Sequence, residues 1–281
     1  MEKNTDKFQL HAAARSEERD TSKSFEVIPG KPNAGLLIVC DHARNYIPEQ
    51  YNNLGMDEAQ LQRHIAYDIG VESVTRQMCE MINVPAVMTN YSRLLIDPNR
   101  GNDDPTLIMR LSDGAIVPGN ASVDEKERQH RIETYHTPYH REIDTQIDNM
   151  TLSAGKPPAL LSIHSFTDNW KGTHRPWHIT VLWDDDERLV RPLLDTLRED
   201  TSIIVGENVP YTGELEGDCM HQHGSNRGLA HALIEIRQDL ISTFEGQKAW
   251  AERLSEVMQK LLDDKNLQQS LHTIHHSDQA A

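Results

Sequence analysis

Short apolar runs alternate with longer amphipathic segments along most of this chain. The apolar runs cover residues 36–40, 84–89, 159–163, 178–183, 202–206 and 232–234. Runs of this length, bounded by turn residues, are typical of buried strands. Apolar residues at helical spacing predict helices over residues 57–67, 70–82, 122–149, 186–198 and 246–262. The alternation favours an α/β fold with three layers, in which helices cover both faces of a mixed, mostly parallel sheet.

Local signals refine this pattern in the middle of the chain. Ser122 and Glu125 have the spacing of a capping box, so the longest helix is expected to begin there and to kink at Pro138. Residues 91–100 mix charged with apolar positions and are interpreted as a strand or ribbon. The next segment, residues 101–120, is rich in Gly, Asp, Asn and Pro and predicts a long loop that lines or covers a site.

Both ends of the chain are polar. Residues 1–24 and 264–281 are therefore interpreted as an N-terminal extension and a C-terminal tail. The remaining residues, 25–263, are expected to form a single domain, which is within the size range of one α/β unit.

The charge balance narrows the class of partner. The 281 residues include 28 Lys and Arg against 44 Asp and Glu, which gives a formal net charge of −16. Binding to nucleic acid or to an anionic membrane needs clustered basic residues, so neither partner is expected. No apolar run approaches the roughly 18 residues of a membrane helix. A small molecule is the expected partner, and the composition leaves a monomer and a homo-oligomer equally open.

The cysteines indicate a reducing compartment. Cys40, Cys79 and Cys219 are odd in number and lack a CxxC spacing, so neither a disulfide framework nor a thiolate zinc site is indicated. The first residues also lack the apolar stretch of a signal peptide, so the cytoplasm is the expected location.

Three of the predicted strands lead into side chains that bind metals or move protons. The first strand is followed by Asp41 and His42, another by His164, and the last by Glu235. Because the carboxyl ends of strands in an open α/β sheet gather ligands and catalytic groups, these residues are expected to share one site. Two imidazoles suit a borderline metal such as zinc, and the chemistry predicted is metal-assisted hydrolysis.

A catalytic zinc ion usually has three protein ligands, so one more is required. Asp68, in the segment HIAYDIG, is the first candidate, followed by Asn45 and then Asp41. An uncharged amide is a weak zinc ligand, which is why Asn45 ranks below Asp68.

Glu235 lies in a strongly apolar run, where a carboxylate is costly unless it is paired or bound to a metal. One interpretation is a buried ion pair with Arg237; the other is a general base acting on water. Arg93, Arg100 and Arg237 are candidates for holding a substrate carboxylate, because guanidinium binds carboxylates through two parallel hydrogen bonds. The alternative for Arg93 is a structural salt bridge with Asp97.

Other histidines carry weaker signals. His136 and His140 are four residues apart, but Pro138 lies between them and no Glu follows His136, so a metal role is not favoured. His221 and His223 lie in a loop before the last strand, a position that favours a role in the site more than that of His136 and His140 does. The histidines of the tail, His272, His275 and His276, are expected to be exposed.

Seven segments, taken in order, resemble the N-formylglutamate amidohydrolase family across residues 36–240. They are CDHARNYIP (40–48), HIAYDIG (64–70), YSRLLIDPNR (91–100), SDGAIVPGN (112–120), YHTPYH (135–140), SIHS (162–165) and HALIEIRQDLI (231–241). The resemblance implies a zinc-carboxypeptidase-like (phosphorylase/hydrolase-like) fold and hydrolysis of an N-formyl amide on an acidic amino acid. It also implies that His42 and His164 are metal ligands, that Glu235 is the catalytic carboxylate, and that Arg93 binds the substrate carboxylate.

The chain has DHARN where the histidine-degradation enzymes of this family typically show PHxG, which indicates a divergent branch. The leading hypothesis is a deformylase-type amidohydrolase that uses one divalent metal ion, with zinc as the expected metal. The expected metal ligands are His42, Asp68 and His164, with Glu235 as the base. The expected substrate-binding residues are Asn45, Arg93, Arg100, His223 and Arg237. The alternatives are a non-catalytic small-molecule or metal-binding protein on the same fold, and a peptidase or deacylase for larger acyl groups.

Overall fold

A computed structural model describes residues 23–270 of the chain. Its strands are β1 (Phe25–Ile28), β2 (Leu36–Cys40), β3 (Ala86–Thr89), β4 (Leu111–Ser112), β5 (Ala115–Ile116), β6 (Ala159–Phe166), β7 (Asn169–Trp170), β8 (Thr173–His174), β9 (Ile179–Leu182), β10 (Val205–Glu207) and β11 (His231–Arg237). Two short pairs, β4–β5 and β7–β8, form separate hairpins, and the other strands form one sheet.

The main sheet has seven strands in the order β1-β3-β2-β6-β11-β9-β10. The four central strands β3, β2, β6 and β11 run parallel to one another. At the edges, β1 is antiparallel to β3, and β9 is antiparallel to β11 while β10 is parallel to β9. The mixed, mostly parallel sheet predicted from the apolar runs is confirmed.

The helices are α1 (Glu58–Leu61), α2 (Val71–Ile82), α3 (Glu125–Arg131), α4 (Thr137–Ala154), α5 (Glu187–Arg198), α6 (Cys219–His223) and α7 (Phe244–Leu261). A π-helical turn, Ile132–His136, joins α3 to α4. Among the described residues, no helix is both long enough and apolar enough to cross a membrane.

The alternation of side chains along the strands divides the core into two layers. Ile38 of β2 and Ile163 of β6 point to one face, where they pack against α2, α5 and α7. Val39 and Leu160 point to the other face, where they pack against the apolar side of α4. Both faces of the central strands are covered, which is why β2 and β6 are buried along their whole length. The three-layer arrangement is therefore confirmed.

A third apolar cluster lies outside the sheet, between the segments that surround its carboxyl edge. Leu94, Leu95 and Ile96 pack there with Leu54 and Tyr135. The prediction of a strand over residues 91–100 is wrong, because these side chains anchor a series of turns instead of joining the sheet. That anchoring holds the loop against the end of the sheet where the candidate site residues lie.

Three further predictions are corrected at helix boundaries. Only Glu58–Leu61 is helical within the predicted segment 57–67. The N-cap of α3 is Asp124, whose side chain accepts a hydrogen bond from the backbone N–H of Glu127, and not Ser122. The interruption near Pro138 is a π turn that precedes the proline, which has no N–H for the usual i−4 hydrogen bond. The strand β1 was not predicted.

The predicted N-terminal extension and C-terminal tail fall mostly outside the described residues, as do His272, His275 and His276. The single domain over residues 25–263 stays a prediction.

Candidate metal centre and active-site cleft

The candidate site lies at the carboxyl edge of the central strands. His42 lies two residues after the end of β2, while His164 and Glu235 belong to β6 and β11. In the parallel pairing of these two strands, Glu235 lies opposite His164. Side chains alternate between the two faces along a strand, so residues an even number of positions apart share a face. His164 shares its face with Leu160, and Glu235 shares its face with Leu233, and both leucines pack on the α4 side of the sheet. The register therefore places both side chains at the same edge and on the same face of the sheet.

His42, Asp68 and His164 converge on one point. All three are buried, and each offers one ligand atom, with these atoms within 4.8 Å of one another. Asp68 Oδ2 is 3.4 Å from His42 Nδ1 and 2.9 Å from His164 Nδ1. Among the three candidates for the third ligand, the geometry therefore brings Asp68 to the two histidines.

Each imidazole is oriented from behind by a different carboxylate. His42 Nε2 lies 2.7 Å from Asp97 Oδ1, and His164 Nε2 lies 3.0 Å from Asp41 Oδ2. Because an ionised carboxylate only accepts hydrogen bonds, each Nε2 carries the proton and donates it. Both rings thus turn Nδ1 toward Asp68, in the arrangement that carboxylates impose on metal-binding histidines.

Asp41 is fixed by further hydrogen bonds below His164. The hydroxyl of Tyr139 donates to Asp41 Oδ1 at 2.8 Å, and the hydroxyl of Ser162 donates to Oδ2 at 2.9 Å. Asp41 therefore supports the ligand His164 from behind. The alternative in which Asp41 is itself the third metal ligand does not fit this position.

The backbone around Asp68 brings its carboxylate to the site. The Asp68 N–H donates to the carbonyl of His42 at 2.9 Å, and Asp68 Oδ2 accepts the N–H of Ser165 at 3.2 Å. Two residues later, Gly70 has φ +86°, and a Cβ atom there would lie 2.3 Å from the carbonyl oxygen of Ile241. Only glycine fits this turn between Asp68 and α2.

The electrostatics of the cluster fit a cation. Burial opposes a charge on His164, but the hydrogen bonds that its ring donates to Asp41 and Asp68 outweigh this effect and raise the pKa of His164 to about 10. Burial likewise opposes ionisation of Asp68, yet His42 and His164 hold the pKa of this carboxyl well below its usual range. Two imidazole nitrogens and one ionised carboxylate, buried together, are a donor set that suits a divalent metal. The residues therefore fit the metal expected from the sequence.

Glu235 has a different environment from the other carboxylates. It makes no hydrogen bond or ion pair within residues 23–270. Burial raises its pKa to about 7, and the charge of Asp68 adds to this shift. Arg237, the partner considered from the sequence, instead pairs with Asp239 at 2.7 Å and donates to the carbonyl of Arg175. The ion-pair interpretation of Glu235 is therefore wrong, because Arg237 is engaged elsewhere.

Two arginines line the same cleft. Arg93 Nη1 lies 3.2 Å from His42 Nδ1, and Arg93 Nη2 donates to Asp97 Oδ2 at 2.7 Å. The Arg93–Asp97 salt bridge, the structural alternative for Arg93, is therefore present, and Arg93 contacts the metal cluster as well. Arg100 faces the cleft as well and is held through the carbonyl of Asn99.

Three of the predicted substrate-binding residues lie away from the cleft. The Asn45 side chain donates to the carbonyl of Leu61 at 2.9 Å, so its amide supports the loop. His223 faces a separate depression beside α4. Arg237 also lies outside the residues that line the cleft, where its guanidinium binds backbone carbonyls.

The cleft is larger than the metal cluster, with a volume of about 500 Å³. Its walls include the aromatic side chains of Phe166, Trp170, Trp183 and Tyr211, none of which was singled out from the sequence. Arg175 lies over the rings of Phe166, Trp170 and Tyr211 and holds them together. The sequence signal for them is the concentration of aromatic residues from the last residue of β6 to the loop before β11.

Comparisons with solved structures find proteins of the same fold. A solved structure of a gene product from Agrobacterium tumefaciens is 34% identical, with a TM-score of 0.79, over 86% of this chain and 96% of the other. N-formylglutamate amidohydrolase from Ralstonia eutropha shares the fold, with a TM-score of 0.62 and 20% identity over 85% of this chain and 97% of the other. A comparison with curated proteins found no match.

The model of the N-formylglutamate amidohydrolase family matches residues 34–242. This range includes β2, β6 and β11, at whose ends His42, His164 and Glu235 lie, together with the loop that carries Arg93 and Asp97. It covers most of the chain, so the protein is an amide hydrolase by family. This chain belongs to the N-formylglutamate amidohydrolase family.

Proposed function

We propose that this protein is a metal-dependent hydrolase that removes a formyl or another small acyl group from the nitrogen of an acidic amino acid. The observation that carries the proposal is the convergence of His42, Asp68 and His164, with Glu235 beside His164 and free of any ion pair in residues 23–270. The family supplies the amide hydrolysis, and this geometry supports the metal and the base.

The three ligands would hold one divalent ion, with zinc as the metal that suits two imidazoles and a carboxylate. Such an ion lowers the pKa of water to about 7 and polarises an acyl oxygen. Asp41 and Asp97 keep the two imidazoles in the tautomer that offers Nδ1 to the ion.

Glu235 is placed to move the proton. Burial raises the pKa of this carboxyl above its usual range, which favours accepting a proton from the attacking water and returning it to the departing amine. A carboxylate tied up in a salt bridge could not cycle in this way, so the engagement of Arg237 with Asp239 matters for the role.

Arg93 and Arg100 supply positive charge on the other side of the cleft. Arg93 Nη1 is close enough to the ligand His42 to face the acyl oxygen, and the Nε atom of Arg93 is buried without a partner among the described residues. We assign Arg93 to the negative charge that develops on the acyl oxygen and Arg100 to a carboxylate of the substrate. Arg93→Lys would keep the charge but lose the paired donors.

A second candidate, a deacylase for larger acyl groups, is favoured by the aromatic walls. A cleft of about 500 Å³ exceeds what a formyl group and one amino acid require, and Phe166, Trp170 and Tyr211 offer apolar surface. Such a wall would bind an acyl chain or a second residue of the substrate.

The deciding experiment is a substrate panel with the zinc-loaded protein. Formyl, acetyl and longer acyl derivatives of glutamate are compared, together with N-formylglutamine, which lacks the side-chain carboxylate. The proposal expects the highest kcat/KM for a small acyl group on glutamate and a clear loss with N-formylglutamine. Higher kcat/KM for long acyl chains would select the second candidate. No hydrolysis of any substrate, with metal bound, would favour a non-catalytic binding protein.

The role of Glu235 is tested with Glu235→Gln, which removes the base and preserves the size of the side chain. We expect kcat to fall by about 100-fold or more while the metal content stays unchanged. Glu207→Gln is the control, because Glu207 is engaged in salt bridges with Arg191 and Arg198 on the edge strand β10. Equal loss in both variants would contradict the role.

A further inference from the structure

Within the described residues, a second group of buried metal-ligating side chains lies beside α4. His140 of α4 meets Cys219 and His223 of α6, and their ligand atoms lie within 4.8 Å of one another. His140, Cys219 and His223 have 7%, 0% and 3% of their surface exposed. None of the three lines the active-site cleft.

We propose that His140, Cys219 and His223 form a second metal site, for a borderline divalent ion such as zinc or cobalt, which is distinct from the centre at His42. The donors would be His140 Nδ1, His223 Nε2 and Cys219 Sγ. Two imidazoles and a thiolate match the preferences of zinc and cobalt, and three protein donors leave one position of a four-coordinate ion for water.

The hydrogen bonds of the two rings support these donor atoms. His140 Nε2 lies 2.9 Å from the carbonyl oxygen of Pro98, and His223 Nδ1 lies 3.0 Å from Asp144 Oδ1. Both partners are acceptors, so both nitrogens must carry protons. The remaining nitrogens, His140 Nδ1 and His223 Nε2, lie only 2.8 Å apart.

Two neutral imidazoles cannot by themselves satisfy all four ring nitrogens of His140 and His223. The contacts to Pro98 and Asp144 use both N–H groups of two neutral imidazoles, which leaves two lone pairs facing each other at 2.8 Å. Either an additional proton or a cation must lie between them. A metal ion satisfies both lone pairs at once and leaves the outer hydrogen bonds unchanged, which is the arrangement around metal-bound histidines.

Cys219 supplies the third donor beside these lone pairs. Burial and the nearby charge of Asp41 raise the pKa of this thiol, so it is protonated in the absence of metal. On binding, the sulfur–metal bond forms and the thiol proton is released to solvent, so one proton is lost for each ion bound. A shallow depression of about 370 Å³, lined by His136, Gln222 and Asn226 among others, gives an ion access from the surface.

The position of this site indicates what the ion does. His140 holds the carbonyl of Pro98, and the backbone N–H of Cys219 donates to the Asn99 side chain at 3.0 Å. Pro98 and Asn99 lie in the loop that carries Asp97 and Arg100. An ion joining α4 to α6 would therefore brace this loop from behind and stabilise one wall of the cleft.

The test is titration of the chelator-treated full-length protein with cobalt(II), followed by bound metal per chain and by the thiolate-to-cobalt charge-transfer absorption. Wild type should bind two ions and show the band. His42→Ala should lose the first centre, bind one ion and keep the band. Cys219→Ser should lose the band, while Cys79→Ser, which also removes a buried thiol, should keep it.

A second pair of variants guards against misfolding as an explanation. Asp144→Ala leaves all three donors in place and should weaken binding at the band-producing site by about 10–100-fold, as the loss of an outer partner does. His136→Gln changes the same depression without removing a donor and should leave the affinity unchanged. The proposal is overturned if wild type binds one ion without a thiolate band, or if His42→Ala binds none. Neither result bears on whether the first centre hydrolyses amides.

Discussion

The protonation state of each histidine follows from the atoms that surround its ring. His42 donates from Nε2 to Asp97 and accepts at Nδ1 from Arg93, so two independent contacts fix its tautomer. His164 faces a carboxylate at each nitrogen and is therefore protonated at both in the absence of metal. A metal ion would replace the proton on Nδ1 of His164, so metal binding and proton release are coupled at this residue.

Removal of an outer carboxylate tests this orientation. Asp97→Asn keeps the size of the side chain but loses the charge that holds Nε2–H of His42, so we expect the affinity for zinc to fall by about 10–100-fold. Competition with a chromophoric chelator measures the dissociation constant. Asp113→Asn, which removes a carboxylate paired with Arg63 away from the cluster, is the control. Identical affinities in the two variants would contradict the role of Asp97.

The pKa of Glu235 predicts the acid limb of the pH profile. Burial raises this pKa to about 7 in the metal-free site, and a bound cation nearby lowers it, so the limb should lie below pH 7 in the loaded enzyme. Because a general base works in its ionised form, kcat/KM should rise with pH through this limb. A profile measured from acid to neutral pH checks the direction, and activity that falls as pH rises over this range would rule out Glu235 as the base.

At the scale of elements, the turn between Asp68 and α2 is the most constrained connection in the site. Gly70→Ala places a Cβ atom 2.3 Å from the Ile241 carbonyl oxygen at φ +86°, so the backbone must shift and carry Asp68 with it. We expect a loss of unfolding free energy of about 2 kcal/mol or more together with weaker zinc binding. Gly155→Ala, at the end of α4 with φ +70° and nothing within 4 Å, is the matched control. It should cost about 1 kcal/mol and leave zinc affinity unchanged.

The elements also show what the sequence could predict. The strands of the main sheet other than β1, and the helices α2, α5 and α7, follow from apolar runs and apolar spacing, because these segments bury apolar faces against one another. The loop over residues 91–100 could not be predicted in this way, because Leu94 to Ile96 pack in a separate cluster that has no periodic signature. His42, His164 and Glu235 could be identified from the sequence as residues of one site, because the carboxyl ends of the strands meet at one edge of the sheet.

Other parts of the site depend on distances that a sequence does not contain. Asp97 acts behind His42 only because a loop brings it there, and Asp41 acts behind His164 only because β2 lies beside β6 in the sheet. The meeting of His140 with Cys219 and His223 joins residues about eighty positions apart, and local spacing gave no sign of it. The helical spacing of His136 and His140, for which a metal role is not favoured from the sequence, includes only one member of this group.

At the scale of the whole molecule, metal binding should contribute to stability, because the ligands come from segments that are remote in sequence. His42, Asp68 and His164 lie on three different segments of the fold, and they come together only in the folded chain. A ligand that binds only the folded state raises the unfolding free energy by about 2.7 kcal/mol at 100 times its dissociation constant. Zinc should therefore raise Tm, and chelation should lower it.

The double variant His42→Ala/Cys219→Ser separates specific from adventitious stabilisation. It lacks one donor from each of the two clusters, so zinc should no longer raise its Tm, whereas each single variant should retain part of the shift. Calcium, a divalent ion that prefers oxygen ligands, is the control and should leave the Tm of wild type nearly unchanged. Differential scanning calorimetry at several zinc concentrations measures these shifts. If the double variant were stabilised as much as wild type, the stabilising ion would be bound elsewhere, and neither cluster would be the metal site described above.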